Sequence, residues 1–141
     1  MTNVMDKAAL QDYLTKDFGP VGAALSIEEV TEQSVTLRLT PEQHHIRLGG
    51  TVSGPSLFML ADVGFFFAIL ARLGPVGMAV TTNASIDFMR KPDGAKPVLG
   101  ECIVHKLGRT LAVGQVLMRN PDSDKVLAQA SMTYAIPPKR D

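Results

Sequence analysis

The chain has 141 residues, 45% of them hydrophobic and 20% charged, so it suits one domain with a sizeable core and is not a disordered chain. Fourteen Lys and Arg balance fourteen Asp and Glu, which gives no net basic field to attract nucleic acid or an anionic membrane. The single cysteine, Cys102, excludes an internal disulfide, and the N-terminus lacks the apolar run of a signal peptide. We therefore expect a cytoplasmic protein.

The first part of the chain predicts one short helix, two strands and a loop. An amphipathic helix is expected over residues 5–17, in an N-terminal helical segment, 1–19, that ends at "GP". Strands are expected over about 23–30 and 34–40, the second with a regular alternation of apolar and polar residues. The polar segment 41–53, "PEQHHIRLGGTVS", is then a loop.

The next segment is the most apolar of the chain. From Leu57 to Ala71 only Asp62 is charged, and a helix is predicted from about 55 to 73. This run is shorter than the ~20 residues that span a bilayer. We interpret it as a buried helix of a soluble protein with no membrane partner. Strands alone are predicted after it, over 78–89, 96–107, 110–120 and 125–136.

This order of elements indicates an α+β domain. Two strands, one buried helix and four further strands are typical of an antiparallel sheet with the helix on one face. No repeat or linker divides the chain, so residues 1–141 are expected to form a single domain. A helix that is apolar on nearly all sides needs cover on most of them. A curved sheet around the helix would provide that cover, and a second subunit could complete it.

The start of the buried helix has the features of an anion site. Pro55 fits the first helical position, because its missing N–H would be unpaired there, and Gly54 or Ser53 is then the N-cap. The N–H groups at a helix start point outward and carry partial positive charge. Because Gly54 has no side chain, a substrate carbonyl could approach its N–H closely.

Asp62 needs a reason for its position, because burial of a bare carboxylate is costly. Three structural interpretations are open. It pairs with Arg47 or another base, it accepts backbone N–H bonds from a nearby loop, or it faces water at a subunit interface. The functional interpretation is a catalytic role.

The segment "RLGGTVSGPSLFMLAD" resembles the motif of the hotdog-fold acyl-CoA thioesterases of the phenylacetate-pathway (PaaI-like) branch, which is Asn-x-x-Gly-x-x-His-Gly-Gly followed by a helix Asp. Gly50 matches the loop glycine, Gly54 matches the first glycine after the histidine, and "LAD" at 60–62 supplies the carboxylate. The segment 79–92, "AVTTNASIDFMRKP", is similar to the central strand of that family, and the likeness covers roughly residues 20–137.

The resemblance implies a hotdog fold, an antiparallel sheet wrapped around a central apolar helix, and hydrolysis of an acyl-CoA or aryl-CoA thioester without a metal or other cofactor. Asp62 would act as general base or nucleophile, the N–H of Gly54 would polarise the thioester carbonyl, and the hydroxyl of Thr81 would orient the attacking water. The family site lies between two subunits, so Asp62 and Gly54 would come from different chains. We expect a homodimer at least, and a homotetramer.

Three positions depart from the family motif. Arg47 stands at the Asn position, Ser53 at the His position and Pro55 at the second Gly. Pro55 is tolerable because the donor is the N–H before it, and the histidine of the family is mostly structural. Arg47 either pairs with Asp62, which weakens the carboxylate as a base, or binds a carboxylate or phosphate on the substrate.

Other polar residues have two interpretations each. Asn83, interpreted as facing the same side of its strand as Thr81, either holds water or bonds across the sheet. His44 and His45 of the 41–53 loop are either solvated or structural, which is the favoured interpretation, or one of them is a site residue. A basic group would receive the phosphates of coenzyme A or form a solvated turn, and it consists of Arg90, Lys91, Lys106 and Arg109.

Two function classes therefore compete. The first is an enzyme that hydrolyses an acyl-CoA or aryl-CoA thioester. The second is a non-catalytic hotdog module that binds an acyl thioester or a small acid through Arg47. A hotdog hydratase is disfavoured, because no Asp-plus-His dyad is evident on the loop and the helix.

Overall fold

The structure, a computed structural model, describes residues 3–75 and 79–138. Within these residues it has two α-helices, α1 (Lys7–Asp17) and α2 (Gly54–Leu73), and two 3₁₀ turns, Gly19–Gly22 and Gln43–His45. The strands are β1 (Leu25–Val30), β2 (Ser34–Leu39), β3 (Val80–Phe88), β4 (Val98–Leu107), β5 (Leu111–Arg119) and β6 (Ala128–Ala135). Each predicted element is confirmed to within three residues. The predicted start of the third strand, residue 78, lies outside the described residues.

The strands form one antiparallel sheet in the order β1-β2-β4-β5-β6-β3, so that β1 and β3 are its two edges. Helix α2 lies across one face, against β2, β4, β5 and β6, and α1 packs against β1. The prediction of an α+β domain with a sheet wrapped around a central apolar helix is confirmed.

Local sequence signals set the ends of the helices. The side chain of Asp6 accepts the N–H of Ala9 at 2.9 Å and caps α1. Ser53 caps the start of α2. Gly74 ends α2 with a φ of 82°, a left-handed conformation that a residue with a side chain adopts only at a cost.

The core lies between α2 and the centre of the sheet. Phe65 and Phe67 of α2 are fully buried, and the contact is close enough to require glycine at Gly64 and Gly114. A Cβ at Gly64 would lie 2.6 Å from Cys102 Sγ, and a Cβ at Gly114 would lie 2.6 Å from a ring carbon of Phe65. Helix α2 is long and apolar enough to cross a membrane, but 72% of its most apolar window is buried in the chain, as in a core helix.

The β3 edge is open by comparison. None of its nine residues is buried, and the side chains at its two ends, Val80 and Phe88, are 55% and 54% exposed. Its one strand neighbour in the sheet is β6. The other side of β3 therefore offers unpaired backbone groups to another strand.

Candidate functional site

The start of α2 has one backbone donor without an acceptor among the described residues. Ser53 Oγ accepts the N–H of Ser56 at 3.2 Å, and the Ser53 carbonyl accepts the N–H of Leu57 at 3.1 Å. The helix begins at Gly54, and Pro55, in its second position rather than the predicted first, has no N–H. The Gly54 N–H is thus free to meet a ligand, and the Ser53 hydroxyl is engaged in capping.

An aromatic ring lies beside Gly54. A Cβ built on Gly54 would be 3.3 Å from Cζ of Phe88, the last residue of β3. The far end of β3 is therefore in contact with the start of α2. Because the Phe88 side chain is half exposed, the ring can yield when a group approaches Gly54.

The loop before α2 is fixed through His45. The backbone N–H of Glu42 donates to His45 Nδ1 at 2.9 Å, and the His45 carbonyl accepts the N–H of Ser53 at 2.8 Å. Burial lowers the pKa of His45, the positive charge of His44 lowers it further, and Glu42 opposes the change. His45 therefore serves as a neutral structural residue that holds the N-cap of α2 in place.

The same loop brings together potential metal ligands. Glu42, His44 and His45 offer ligand atoms within 4.8 Å of one another. However, His45 accepts a hydrogen bond at Nδ1, so the proton of the neutral ring lies on Nε2. An ion at Nδ1 would displace this hydrogen bond, and an ion at Nε2 would move the ring proton to Nδ1, which could then no longer accept it. The cluster is therefore a poor metal site.

Arg47 lies at the tip of a hairpin in this loop and is exposed. The hairpin is closed by hydrogen bonds between Arg47 and both Thr51 and Gly50, with Gly49 and Gly50 at φ values of 92° and 77°. The ion pairs found within residues 3–75 and 79–138 do not include Arg47 with Asp62. The expectation that Arg47 pairs with Asp62 is therefore not met within one chain, and its guanidinium is available to a ligand.

Asp62 is held by two hydroxyl groups. Thr81 Oγ1, at the start of β3, donates to Asp62 Oδ1 at 2.5 Å. The phenol of Tyr134, on β6, lies 2.8 Å from the same oxygen and 2.8 Å from the backbone carbonyl oxygen of Asp62. Asp62 Oδ2 has no donor among the described residues, so one carboxylate oxygen is fixed and the other is open to a reactant. The Thr81 hydroxyl gives its hydrogen to Asp62, and its lone pairs can still accept a hydrogen from water.

The sequence does not identify Tyr134 as a site residue, because it alternates along β6 with apolar residues that share its face of the strand. It is indeed 4% exposed, and it lies against the ring of Phe65 at a centroid distance of 5.6 Å. The signal that could have found it is its register, since Tyr134 is paired directly with Thr81 across β3 and β6. Burial above all raises the pKa of Tyr134; the hydrogen bond with Thr81 opposes the shift and the charge of Asp62 adds to it.

The prediction that Asn83 faces the same side of β3 as Thr81 is wrong. A β-bulge lies between Thr81 and Asn83, so that Thr81 pairs with Tyr134 but Asn83 pairs with Thr133. Neighbouring residues of β6 face opposite sides of the sheet. Asn83 therefore lies on the face away from α2 and does not contribute to the Asp62 site within its own chain.

The predicted basic group is also divided. Arg90 and Lys91 follow the end of β3, whereas Lys106 and Arg109 lie beside the strand ends that pair near its start. The two pairs therefore lie at opposite ends of the sheet in one chain. The guanidinium of Arg90 donates to the Val126 carbonyl at 2.6 Å, and all four side chains are exposed.

Asp62 and Gly54 lie apart in the same way. They are eight residues apart on α2, which is about 12 Å along a helix axis. Asp62 contacts Thr81 at the start of β3, while Gly54 contacts Phe88 at its end. A single carbonyl, about 1.2 Å long, cannot accept from one group and be attacked from the other with contacts of about 3 Å at both ends.

The fold and this pair of groups define a class of protein. An antiparallel sheet wrapped around one apolar helix that carries a carboxylate is a hotdog fold of the thioesterase type. The chain belongs to the thioesterase superfamily, whose family model matches residues 49–127. Thioester hydrolysis is the general activity that this membership supports.

Solved structures agree with the family. The chain is 46% identical to a protein of Silicibacter sp. TM1040 described as a provisional thioesterase, with a TM-score of 0.90 over 98% of this chain and 96% of that one. Mouse thioesterase superfamily member 2 (20% identity, TM-score 0.83, 93% and 97% coverage) and the Escherichia coli PaaI protein of the phenylacetic acid degradation operon (20%, 0.74, 92% and 97%) share the fold. No curated protein matches the chain significantly.

Proposed function

We propose that the protein hydrolyses an acyl-CoA or aryl-CoA thioester to the free acid and CoA, with Asp62 as general base or nucleophile. The observation that carries the proposal is the fixed carboxylate. Two hydroxyl groups hold Asp62 Oδ1, and Oδ2 is free of donors among the described residues. A carboxylate with one open, oriented oxygen in a half-buried site is suited to remove a proton from water or to attack a carbonyl.

The general-base path accounts for every atom. Asp62 Oδ2 takes a proton from water as the water oxygen bonds to the thioester carbon. The Gly54 N–H of a second copy of the chain stabilises the carbonyl oxygen as it becomes an oxyanion. The carbon–sulfur bond then breaks, and the proton on Asp62 passes to the departing thiolate. In the nucleophilic path Asp62 Oδ2 bonds to the carbon itself, the carbon–sulfur bond breaks, and the CoA thiolate leaves and takes a proton from water. Hydrolysis of the resulting anhydride by water then releases the free acid and restores the Asp62 carboxylate.

We further propose that two copies of the chain build each site. An antiparallel pairing of two β3 strands about their midpoint would place the Phe88 end of one strand beside the Thr81 end of the other. Because Phe88 contacts Gly54 and Thr81 contacts Asp62, this rotation would bring the Gly54 donor of one copy to the carboxylate of the other. The unpaired edge of β3 supports this arrangement.

The same rotation also affects where the phosphates of coenzyme A could bind. It would bring Arg90 and Lys91 of one copy toward the sheet end that holds Lys106 and Arg109 of the other. Exposed guanidinium and ammonium groups are suited to bind phosphates. We propose that the basic residues, divided in one chain, meet the phosphates of coenzyme A at such an interface.

Sedimentation velocity at micromolar concentration tests the assembly. We expect a homodimer at least, and a homotetramer as the complete form. A stable monomer in that concentration range would contradict the two-copy site. The cytoplasmic location stays a prediction from the sequence.

Thiol release from a panel of acyl-CoA and aryl-CoA thioesters tests the reaction. In Asp62→Asn the shape of the side chain is kept and its basicity is lost, so kcat should fall by about 10²–10⁴-fold. The matched control is Asp12→Asn, which alters an exposed carboxylate on α1 that pairs with Lys16. Near-normal turnover by Asp62→Asn would refute the assignment of Asp62.

A non-catalytic binding module is the second candidate, and the exposed Arg47 favours it. A guanidinium at the hairpin tip could bind the carboxylate of a small acid or of an acidic acyl thioester. Tight binding of a thioester by calorimetry, with no thiol release over hours, would support this candidate over the enzyme.

A further inference from the structure

The hydroxyl of Tyr134 lies within hydrogen-bond distance of two atoms of Asp62. It lies 2.8 Å from Asp62 Oδ1 and 2.8 Å from the Asp62 backbone carbonyl oxygen. A phenol has one hydrogen, and both of these atoms are acceptors when the carboxylate is charged. That hydrogen therefore always has an acceptor on residue 62.

Asp62 Oδ1 has two donors close to it, the hydroxyls of Thr81 and Tyr134. Hydrogen bonds to a charged carboxylate stabilise the charged form and are stronger than bonds between neutral groups. The two donors also come from different strands, β3 and β6, which fixes the rotation of the carboxylate about its Cβ–Cγ bond. Oδ1 is thus the less basic oxygen and Oδ2 the more basic one.

The phenol is well suited to remain a donor. Tyr134 is buried among the rings of Phe65 and Phe66, with centroid distances of 5.6 and 6.4 Å. The titratable groups that act on it are Asp62 and the buried Cys102 thiol. Burial raises the pKa of both Tyr134 and Cys102, so both are neutral when Asp62 is charged.

We propose that Tyr134 is a positioning residue for the reaction: together with Thr81 it fixes Asp62 Oδ1, so that the proton or the thioester carbon is directed to Oδ2. This inference rests on the proposed function of Asp62. It assigns Tyr134 no contact with the substrate, and it adds a second strand, β6, to the machinery of the site.

The test is Tyr134→Phe, which keeps the ring against Phe65 and removes one hydroxyl. Loss of orientation of the carboxylate should lower kcat by about tenfold, with KM changed by less than about twofold. Circular dichroism and thermal unfolding check that the variant is folded.

Matched variants separate this role from a structural one. Tyr13→Phe removes the chain's other phenol, which lies among the rings of Phe18, Phe66 and Phe67, and should keep the wild-type kcat and KM. Thr81→Val should lower kcat with little change in KM, as Tyr134→Phe does, and Thr81→Ser should restore kcat.

A reading without substrate makes the test independent of turnover. The ¹³C carboxyl resonance of Asp62, assigned by its absence in Asp62→Asn, should change its chemical shift in Tyr134→Phe, because the carboxylate loses a hydrogen bond, and should keep its wild-type chemical shift in Tyr13→Phe. An unchanged chemical shift in Tyr134→Phe would overturn the inference. If Asp62→Asn is inactive but Tyr134→Phe has the wild-type kcat and KM, the inference fails and the proposed function stands. If Asp62→Asn hydrolyses thioesters normally, the proposed function fails, and with it any role of Tyr134 in the reaction.

Discussion

The centre of the sheet and its β3 edge differ in how far one chain completes them. In β5 the inward side chains of Ala112, Val116 and Met118 are fully buried, whereas no residue of β3 is buried. The two strands have β6 between them and face the same helix. The difference teaches that one chain suffices to bury the core, while the β3 edge keeps one side of its backbone unpaired among the described residues.

Helix α2 belongs to both regions. Its buried side, with Phe65, Phe67 and Leu70, fills the core. Gly54, Phe58 and Asp62, four residues apart, lie along one line of the helix, and none of the three is buried. This line holds both candidate catalytic groups, with Phe58, 40% exposed, between them.

The largest effect at the β3 edge is expected from Gly54→Val, at the start of α2 where it contacts Phe88 of β3. A branched side chain at the helix start would cover the free N–H and displace the half-exposed Phe88 ring rather than the core. We expect kcat/KM to fall by about 10²–10³-fold, as for the loss of one oxyanion donor. Thermal unfolding should change little, since Phe88 can move. A loss of stability that matches the loss of activity would mean that Gly54 is a packing glycine.

The centre of the sheet should respond to Gly114→Ala in the opposite way, with a loss of stability rather than of activity. The added Cβ would meet the Ile103 carbonyl oxygen at 2.0 Å, and neither β4 nor the Phe65 ring behind it can move freely. We expect the free energy of unfolding to fall by about 1–3 kcal/mol, measured by urea denaturation. The fraction that stays folded should keep its kcat. An unchanged denaturation midpoint would show that the centre is packed more loosely than described.

The smallest effect is expected from Arg47→Asn. Because Arg47 is exposed and forms no ion pair with Asp62 within the described residues, the change should leave stability unaffected. We expect kcat/KM for a neutral acyl-CoA to rise relative to that for a carboxylate-bearing acyl-CoA, by less than about tenfold. An equal ratio in the two proteins would place Arg47 outside the site.

Much of the centre of the sheet and of α2 could be predicted from the sequence, and less of the β3 edge and the site beside it. The run around Asp62 identifies α2, and alternation identifies the strands, because both depend on local periodicity. Asn83 was placed on the wrong face because a one-residue bulge reverses the alternation without a sequence signal. Tyr134 is not identified as a site residue by the sequence, because alternation gives the face of a side chain but not the residue it contacts there. The four basic residues lie at opposite ends of the sheet because β3 and β4 run in opposite directions. Strand direction is set by long-range pairing, which the local sequence does not show.

The most direct test of the central claim, that one chain holds two halves of different sites, is complementation between two inactive variants. Asp62→Asn and Gly54→Val are each prepared, dissociated in mild denaturant, mixed in equal amounts and reassembled. With random pairing half of the dimers are mixed, and each has one intact site of two, so about a quarter of the wild-type thiol release should return. Each variant treated alone serves as the control. Activity of the mixture no greater than that of the separate variants would contradict a site shared between copies.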